Sequence, residues 1–207
     1  MPERDERIVE SVSVHPLAGQ RVRACDYPDL EQIKKAYNET IPCIDEPAQR
    51  VSFGTSGHRG KAMDGSFTAL HVGAVVQAIC NLRQSFGASG PVFVGADTHY
   101  LSQLAYQTTL NVLAYNKIVA CTDCEGDFVP TPSVSRAVLR YNENRSEKRG
   151  DGIIITPSHN PPDCGGIKYN PVSGGPADST ITKAVEKEAN RLLETGYRSE
   201  ERRVGKE

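Results

Sequence analysis

The sequence predicts an α/β fold, a largely parallel sheet covered by helices. Three observations carry that prediction. Long amphipathic stretches alternate with short apolar runs three times between residue 66 and residue 156. The run Gly152-Ile-Ile-Ile-Thr156 is β-branched and unbroken, as expected of a strand buried on both faces. Two of the helical patterns stop at glycines, Gly87 and Gly196, the residue that best closes a helix.

In chain order, the first predicted helix spans Asp29 to Asn38, with Leu30, Ile33 and Tyr37 on one face and Asp29 able to cap it. Residues 1–50 are otherwise polar and read as an N-terminal extension that packs on the main body or on a partner. Ser66 to Phe86 places Leu70, Ala74, Val75, Ala78, Ile79, Leu82 and Phe86 on a helical face. Val92-Phe-Val94 follows as a short buried strand, and Leu101 to Tyr115 returns as a helix. Ile118-Val-Ala-Cys121 is the next strand. Thr131-Pro132 should open a helix running to Asn142, with the hydroxyl at the N-cap and proline at the first turn. After the strand at 152–156, a last helix covers Thr180 to Thr195 with Ile181, Val185, Ala189 and Leu192 inward.

Composition excludes several classes of function. The 207 residues are 24% charged and 38% hydrophobic, the balance of a soluble globular chain. Lys plus Arg is 24 against 26 Asp plus Glu, a net charge of −2, which argues against nucleic acid or an anionic membrane as main partner. No apolar run is long enough to cross a bilayer, and the N-terminus Met-Pro-Glu-Arg-Asp-Glu-Arg is too charged for a signal peptide. A cytoplasmic location is expected. Of six cysteines, only Cys121 and Cys124 form a C-x-x-C. A second ligand pair for zinc is missing, and a redox pair would open a helix, so free thiols around a strand end are expected.

In open α/β sheets ligands gather where strands end in loops, which singles out Asp97-Thr-His99, Cys121 to Pro130 and Pro157 to Gly175. The last loop is the most unusual. Four prolines between 156 and 171 restrict the backbone, and Gly165 with Gly166 permits a sharp turn. An exposed hydroxyl at Ser158 then stands beside the His159 imidazole, with the Lys168 ammonium able to return to it. Nucleophile, proton carrier and cation together suit transfer of an anionic group such as phosphoryl. On spacing alone, a surface loop whose Ser and Asn merely make local turns fits as well. The second candidate is Val51-Ser-Phe-Gly-Thr-Ser-Gly-His-Arg-Gly60, where Thr55, Ser56, His58 and Arg59 lie among three glycines. Hydroxyls, backbone N–H groups and a guanidinium suit a phosphate, although an ordinary glycine-rich turn fits locally too. Neither a P-loop nor a G-x-S-x-G elbow occurs, and adjacent Ser158 and His159 make poor geometry for a hydrolase pair.

Gly54-Thr-Ser-Gly-His-Arg-Gly60, Thr156-Pro-Ser-His-Asn-Pro161 and Gly166-Ile-Lys-Tyr-Asn170 together resemble the α-D-phosphohexomutase superfamily, closest to the bacterial glucose-specific phosphoglucomutases. Val94-Gly-Ala-Asp-Thr-His99 and Pro130-Thr-Pro132 fit that family's first domain in the right order. The resemblance covers roughly residues 51–196. It implies a three-layer αβα domain with a mostly parallel mixed sheet over 51–197, and it implies roles for individual residues. Ser158 would carry the phosphoryl group and hand it to a bound glucose monophosphate. Glucose 1,6-bisphosphate is then the intermediate between glucose 1-phosphate and glucose 6-phosphate. Arg59 and Lys168 match positions that contact the phosphoryl group, with Lys168 the better proton-transfer group and His159 in support. Thr55 and Ser56 would help bind phosphate, and Asp97 and His99 match the family's second loop and are assigned only to positioning. His58 ranks lower, because a satisfied structural histidine is commoner than a functional one. Mg²⁺ is implied as cofactor, held by the phosphate on Ser158 and by carboxylates.

The chain departs from the family in length. No D-x-D-x-D run for the metal occurs in it, and the family's sugar-selecting and distal phosphate loops lie after the first domain. Residues 198–207 are charged at seven positions and read as a disordered or foreign tail. The expectation is therefore a truncated first domain, inactive alone, whose partners are glucose phosphates and the missing later domains of its parent. An oligomer is compatible with the sequence. Phosphomannomutase or phosphoglucosamine mutase is the rival within the family, and a non-catalytic phosphosugar-binding module the rival outside it.

Overall fold

The computed structural model of the protein describes residues 16–54 and 57–197. The tail at 198–207, the first fifteen residues of the expected N-terminal extension, and Thr55 with Ser56 fall outside them. In chain order the elements are α1 (Leu30–Glu39), β1 (His58–Lys61), α2 (Ala69–Leu82), β2 (Val92–Ala96) and α3 (Tyr100–Tyr115). They continue with β3 (Ala120–Cys121), α4 (Thr131–Asn142), β4 (Asp151–Ile155), β5 (Cys164–Asn170) and α5 (Ser179–Glu194). Among the described residues no helix is long and apolar enough to cross a membrane.

One five-stranded sheet runs in the order β1-β5-β4-β2-β3. β2 pairs in parallel with β3 and β4, while β5 is antiparallel to both β4 and β1. Four strands thus share one direction and β5 opposes them, the mixed, mostly parallel sheet that was expected. Alternation along the strands divides its faces. Val92, Val94, Ile153, Ile155, Ile167 and Tyr169 enter the main core with α2, α3 and α5. Gly95 and Gly152 point the other way, and an added Cβ at either would run into Val134 of α4. Helices therefore cover both faces, but α4 packs mainly over β2 and β4 and meets β5 at its far end, where Asn170 Nδ2 donates to Ser135 Oγ at 2.9 Å. Over the Gly166 end of β5, and over β1, that face has no helix above it among the described residues.

The helices follow from local chemistry. Asp29 caps α1 by accepting the Gln32 amide at 3.1 Å, and Ile33 and Tyr37 are buried while Leu30 stays exposed. α2 begins later than its pattern suggests, at Ala69 rather than Ser66, because Thr68 and His71 close its first turn reciprocally. It is buried nearly all round, between α3 and α5. α4 starts with Pro130 at the N-cap and Thr131 in the first turn, one position from expectation, and no side chain caps it. Asp178 caps α5, accepting the amides of Thr180 and Ile181.

Two strands lie where loops were expected. Gly165 and Gly166 are extended within β5 and make no turn. Their lack of a side chain serves close packing instead. An added Cβ at Gly165 would overlap the Phe67 ring, and one at Gly166 would overlap the Thr156 carbonyl oxygen. β1 exists because its four short, polar residues pair with β5, Arg59 opposite Gly166.

Beneath β1 lies a pair of buried histidines. His58 Nε2 donates to the Ser66 carbonyl at 2.9 Å and its Nδ1 accepts the Ser52 amide at 3.3 Å. His71 Nε2 donates to the Gln49 carbonyl at 2.8 Å and Nδ1 faces the Thr68 amide and hydroxyl. The rings stack 5.3 Å apart, and both are satisfied as neutral imidazoles. Burial, then the neighbouring His71, pushes His58 down from 6.5 to about 4, and burial lowers His71 as well. Below pH 6.5 the unfolded chain takes protons that the folded chain refuses, so this stability is present above 6.5 and is lost as pH falls toward 4. Urea unfolding at pH 7 and at pH 4.5 is expected to differ by roughly 2–3 kcal/mol from His58 alone, from about 1.4 kcal/mol per pKa unit. Carboxylates held low, such as Glu188 beside Arg191, begin to add their own losses as pH falls through the ordinary carboxylate value, at the lower edge of this window. An unchanged stability across that window would refute the neutral pair.

Candidate active site

β4 delivers its chain directly into the proline-rich loop. Thr156 still pairs with β5, its amide donating to the Gly166 carbonyl at 2.9 Å. Its hydroxyl then accepts the Ser158 amide at 2.8 Å, a side-chain turn of the kind Ser and Thr favour. Ser158 is left exposed with φ +73°, the left-handed region that disfavours a residue with a Cβ by about 1–2 kcal/mol. Its Oγ lies 3.4 Å from His159 Nδ1, too long for a strong bond, and His159 is exposed as well.

The face that α4 leaves uncovered carries the cations. Arg59 stands opposite Gly166, and Lys168 is two residues along β5, so both project on the face of Gly166. Because Gly166 has no side chain, the Thr156-Pro157 backbone packs against it, which lays the start of the Ser158 loop over Gly166, on the face that carries both cations. Arg59 is exposed and Lys168 half-buried. Burial, then the Arg59 charge, lowers the Lys168 pKa below the ordinary lysine value, against a smaller opposing effect of Asp97. The approach to Gly54 is tied to α5, where Asn190 brackets Val51 with two backbone bonds and Glu186 accepts the Phe53 amide at 2.7 Å. The Gly54 amide donates to the Gly57 carbonyl and closes the turn.

Asp97 and His99 follow β2, next to the loop. His99 Nδ1 is 3.0 Å from Asp97 Oδ2 and its Nε2 3.1 Å from the Asn160 carbonyl oxygen. Burial works to raise the Asp97 carboxyl, but the Thr156 and Ser102 hydroxyls and His99 together hold it below its usual value. Lys61 pairs with Asp163 at 2.8 Å across the loop's far end. His58 lies beneath the sheet in the core and does not reach this face. Sequence reasoning missed Thr156, Asn190 and Glu186. Thr156 could have been found as the hydroxyl two residues before Ser158, whereas nothing local marks the other two. Cys121 ends β3 half-buried and Cys124 is exposed in the loop beyond, both as free thiols.

The residues here do not fit magnesium by themselves. Among the described residues no three His, Cys, Asp or Glu side chains converge, and the loop carboxylates Asp97 and Asp163 are engaged by His99 and Lys61.

An open αβα sheet with a serine loop and two cations on one face defines an α/β domain with a site suited to an anionic ligand. Residues 50–195 match the family described as phosphoglucomutase/phosphomannomutase, alpha/beta/alpha domain I, and the chain belongs to that family. A phosphoglucomutase of Komagataeibacter xylinus is 45% identical over 178 residues, 86% of this chain and 32% of that one. Phosphoglucomutase 1 of Saccharomyces cerevisiae is 32% identical, and so is a phosphoglucosamine mutase of Synechococcus elongatus, over 74% and 72% of this chain and 27% and 30% of theirs. A crystal structure from Thermus thermophilus, described as a phosphomannomutase, superposes with a TM-score of 0.58 at 30% identity, covering 69% of this chain and 30% of that one. The chain spans about a third or less of the length of the curated relatives named here.

Proposed function

We propose that this chain is the phosphoserine-bearing first domain of a cytoplasmic phosphoglucomutase. Ser158 Oγ holds the phosphoryl group at rest. Its P–Oγ bond breaks as a new P–O bond forms to the free hydroxyl of glucose 1-phosphate or glucose 6-phosphate. The sugar hydroxyl gives up its proton to Lys168, whose affinity for a proton is lowered by burial and Arg59, and the departing Ser158 Oγ takes up a proton in exchange, which leaves it a hydroxyl. Glucose 1,6-bisphosphate results, reorients, and returns its other phosphate to Ser158. Arg59 and Lys168 stabilise the charge that spreads over the phosphoryl oxygens in between. Thr55 and Ser56 are assigned to phosphate binding, and His159 to support at the leaving oxygen. The single observation that carries this reading is the exposed, left-handed Ser158 on a loop whose start lies over Gly166, on the face that carries Arg59 and Lys168.

Magnesium, as the resemblance implies it, would draw one ligand from the phosphate on Ser158 and the others from residues beyond this chain. It would supply a hard positive charge to the phosphoryl oxygens. The 207-residue chain alone is accordingly inactive in interconverting glucose phosphates, although it can accept a phosphoryl group.

Mass mapping after incubation with glucose 1,6-bisphosphate tests this. The peptide bearing Ser158 is expected to gain one phosphoryl group, and Ser158→Ala and Ser158→Gly to gain none. Ser158→Gly should also be more stable than Ser158→Ala by about 1 kcal/mol, because glycine takes a φ of +73° freely. Folded protein that acquires no phosphate, or acquires it equally without Ser158, would overturn the reading.

A further inference from the structure

A strained serine needs something to hold it. Ser158 keeps a left-handed backbone in an exposed loop, where it would relax if the chain on either side were free. The parallel register of β2 and β4 supplies the anchor. Ala96 stands opposite Ile155, and the Asp97 amide extends that ladder by donating to the Ile155 carbonyl at 3.0 Å. The sheet itself therefore sets Asp97 beside Thr156.

From that carboxylate two arms reach the loop. One runs through Thr156, whose hydroxyl accepts the Ser158 amide at 2.8 Å and lies near enough to Asp97 to help hold its carboxyl low. The other runs through His99, whose Nδ1 lies 3.0 Å from Asp97 Oδ2 and whose Nε2 lies 3.1 Å from the Asn160 carbonyl oxygen. Asp97 Oδ1 accepts the His99 amide at 3.0 Å, which sets the imidazole in place. The loop is gripped at residues 158 and 160, one arm at each. The side chains of Asp97 and His99 are only 25% and 17% exposed, so these bonds are partly shielded from competing water.

We infer that Asp97 and His99 are positioning residues, which hold the 156–160 loop by both arms and so keep Ser158 in its left-handed, outward-facing conformation. Neither residue needs to touch the sugar. The importance of that conformation for phosphoryl transfer rests on the function proposed above; the grip itself does not. A rival role for Asp97 is capping the start of α3, since its Oδ1 meets the His99 amide one residue before that helix. That role involves neither His99 Nε2 nor Asn160.

Amide-hydrogen exchange by NMR on the full chain separates the two, with His99→Ala, His99→Gln and Asp97→Asn beside the wild type. Exchange at Ser158, whose amide donates to Thr156, is expected to quicken about tenfold in His99→Ala, the effect of one lost hydrogen bond on the loop, while α3 and the thermal midpoint barely move. His99→Gln, which can still offer an N–H to Asn160, should recover part of the protection. Phosphoryl uptake by Ser158 should slow in the same order. Unchanged exchange at Ser158 in both His99 variants would overturn the grip. So would quickened exchange confined to α3. Should the wild type take up no phosphate while exchange responds as expected, the grip stands and the proposed function falls. If Asp97→Asn fails to fold, the two His99 variants decide.

Discussion

Asp151→Ala is expected to destabilise the protein by about 3–5 kcal/mol, the penalty of stranding a buried cation. Asp151 is fully buried at the start of β4, and its carboxylate is met by the Arg83 guanidinium in a two-pronged contact, at 3.1 Å from Nε and 2.5 Å from Nη2. The Tyr169 hydroxyl donates to the same carboxylate at 2.8 Å, and Arg83 Nη2 also donates to the Gly90 carbonyl. Three elements are thereby joined at the end of the sheet remote from Ser158: the C-cap of α2, β4 and β5. Removing the carboxylate leaves Arg83 charged with only one carbonyl to face. Tyr169→Phe deletes one donor and should cost about 1–2 kcal/mol. The double variant Arg83→Met with Asp151→Leu removes both charges and should recover most of the loss. Urea unfolding monitored by circular dichroism measures all of these. A loss under about 1 kcal/mol for Asp151→Ala would mean that water reaches Arg83, contrary to the burial described.

Lys168→Met is expected to slow phosphoryl uptake by Ser158 about 10²- to 10³-fold, the usual effect of deleting one preorganised charge at a reacting phosphate. Stability should hold or rise slightly, since a half-buried cation beside Arg59 is relieved. Lys168→Arg divides the two roles assigned to the lysine. It restores the positive charge but cannot release a proton in the working range, so electrostatic help returns while proton transfer does not. Quenched time courses with labelled glucose 1,6-bisphosphate give the rates. Uptake by Lys168→Met at the wild-type rate would remove Lys168 from the chemistry.

Helices were legible because each repeats its apolar face over several turns. Asp29 announces its cap and Gly196 closes α5, whereas α2 ends at Leu82 with Arg83 as C-cap, short of the expected Phe86, and Gly87 belongs to the turns that follow it. β2 and β4 were legible for a related reason, as short β-branched runs between helices. β1 and β5 were hidden because they do not look like strands. Gly-Gly-Ile-Lys-Tyr-Asn opens with two residues of poor strand propensity, and His-Arg-Gly-Lys is short and polar. Their extended form comes from pairing with partners distant in sequence and from backbone contacts that only glycine admits. The same blind spot touched the site. Ser158 stood out through its prolines, and the chemistry of Arg59 and Lys168 was apparent from residue type and family resemblance. That both lie on adjacent strands, sharing a face with Gly166, required the register. The Arg83–Asp151 pair and the His99–Asn160 contact left no local trace at all.

The antiparallel placement of β5 bears on how the proposed site comes together during folding. β4, the serine loop and β5 form a local hairpin, so Ser158 and Lys168 can find one another early with little loop closure. Arg59 arrives by a different route. Its strand must pair with β5 across roughly a hundred residues of chain, a slow, high-separation event by comparison. Ser158 and Lys168 are thus local products of one hairpin, while Arg59 reports that strands distant in the chain have met. Ability to handle phosphate would then be acquired late, with the closing of the sheet's edge, and a chain stalled before that step would display its serine without its full complement of positive charge.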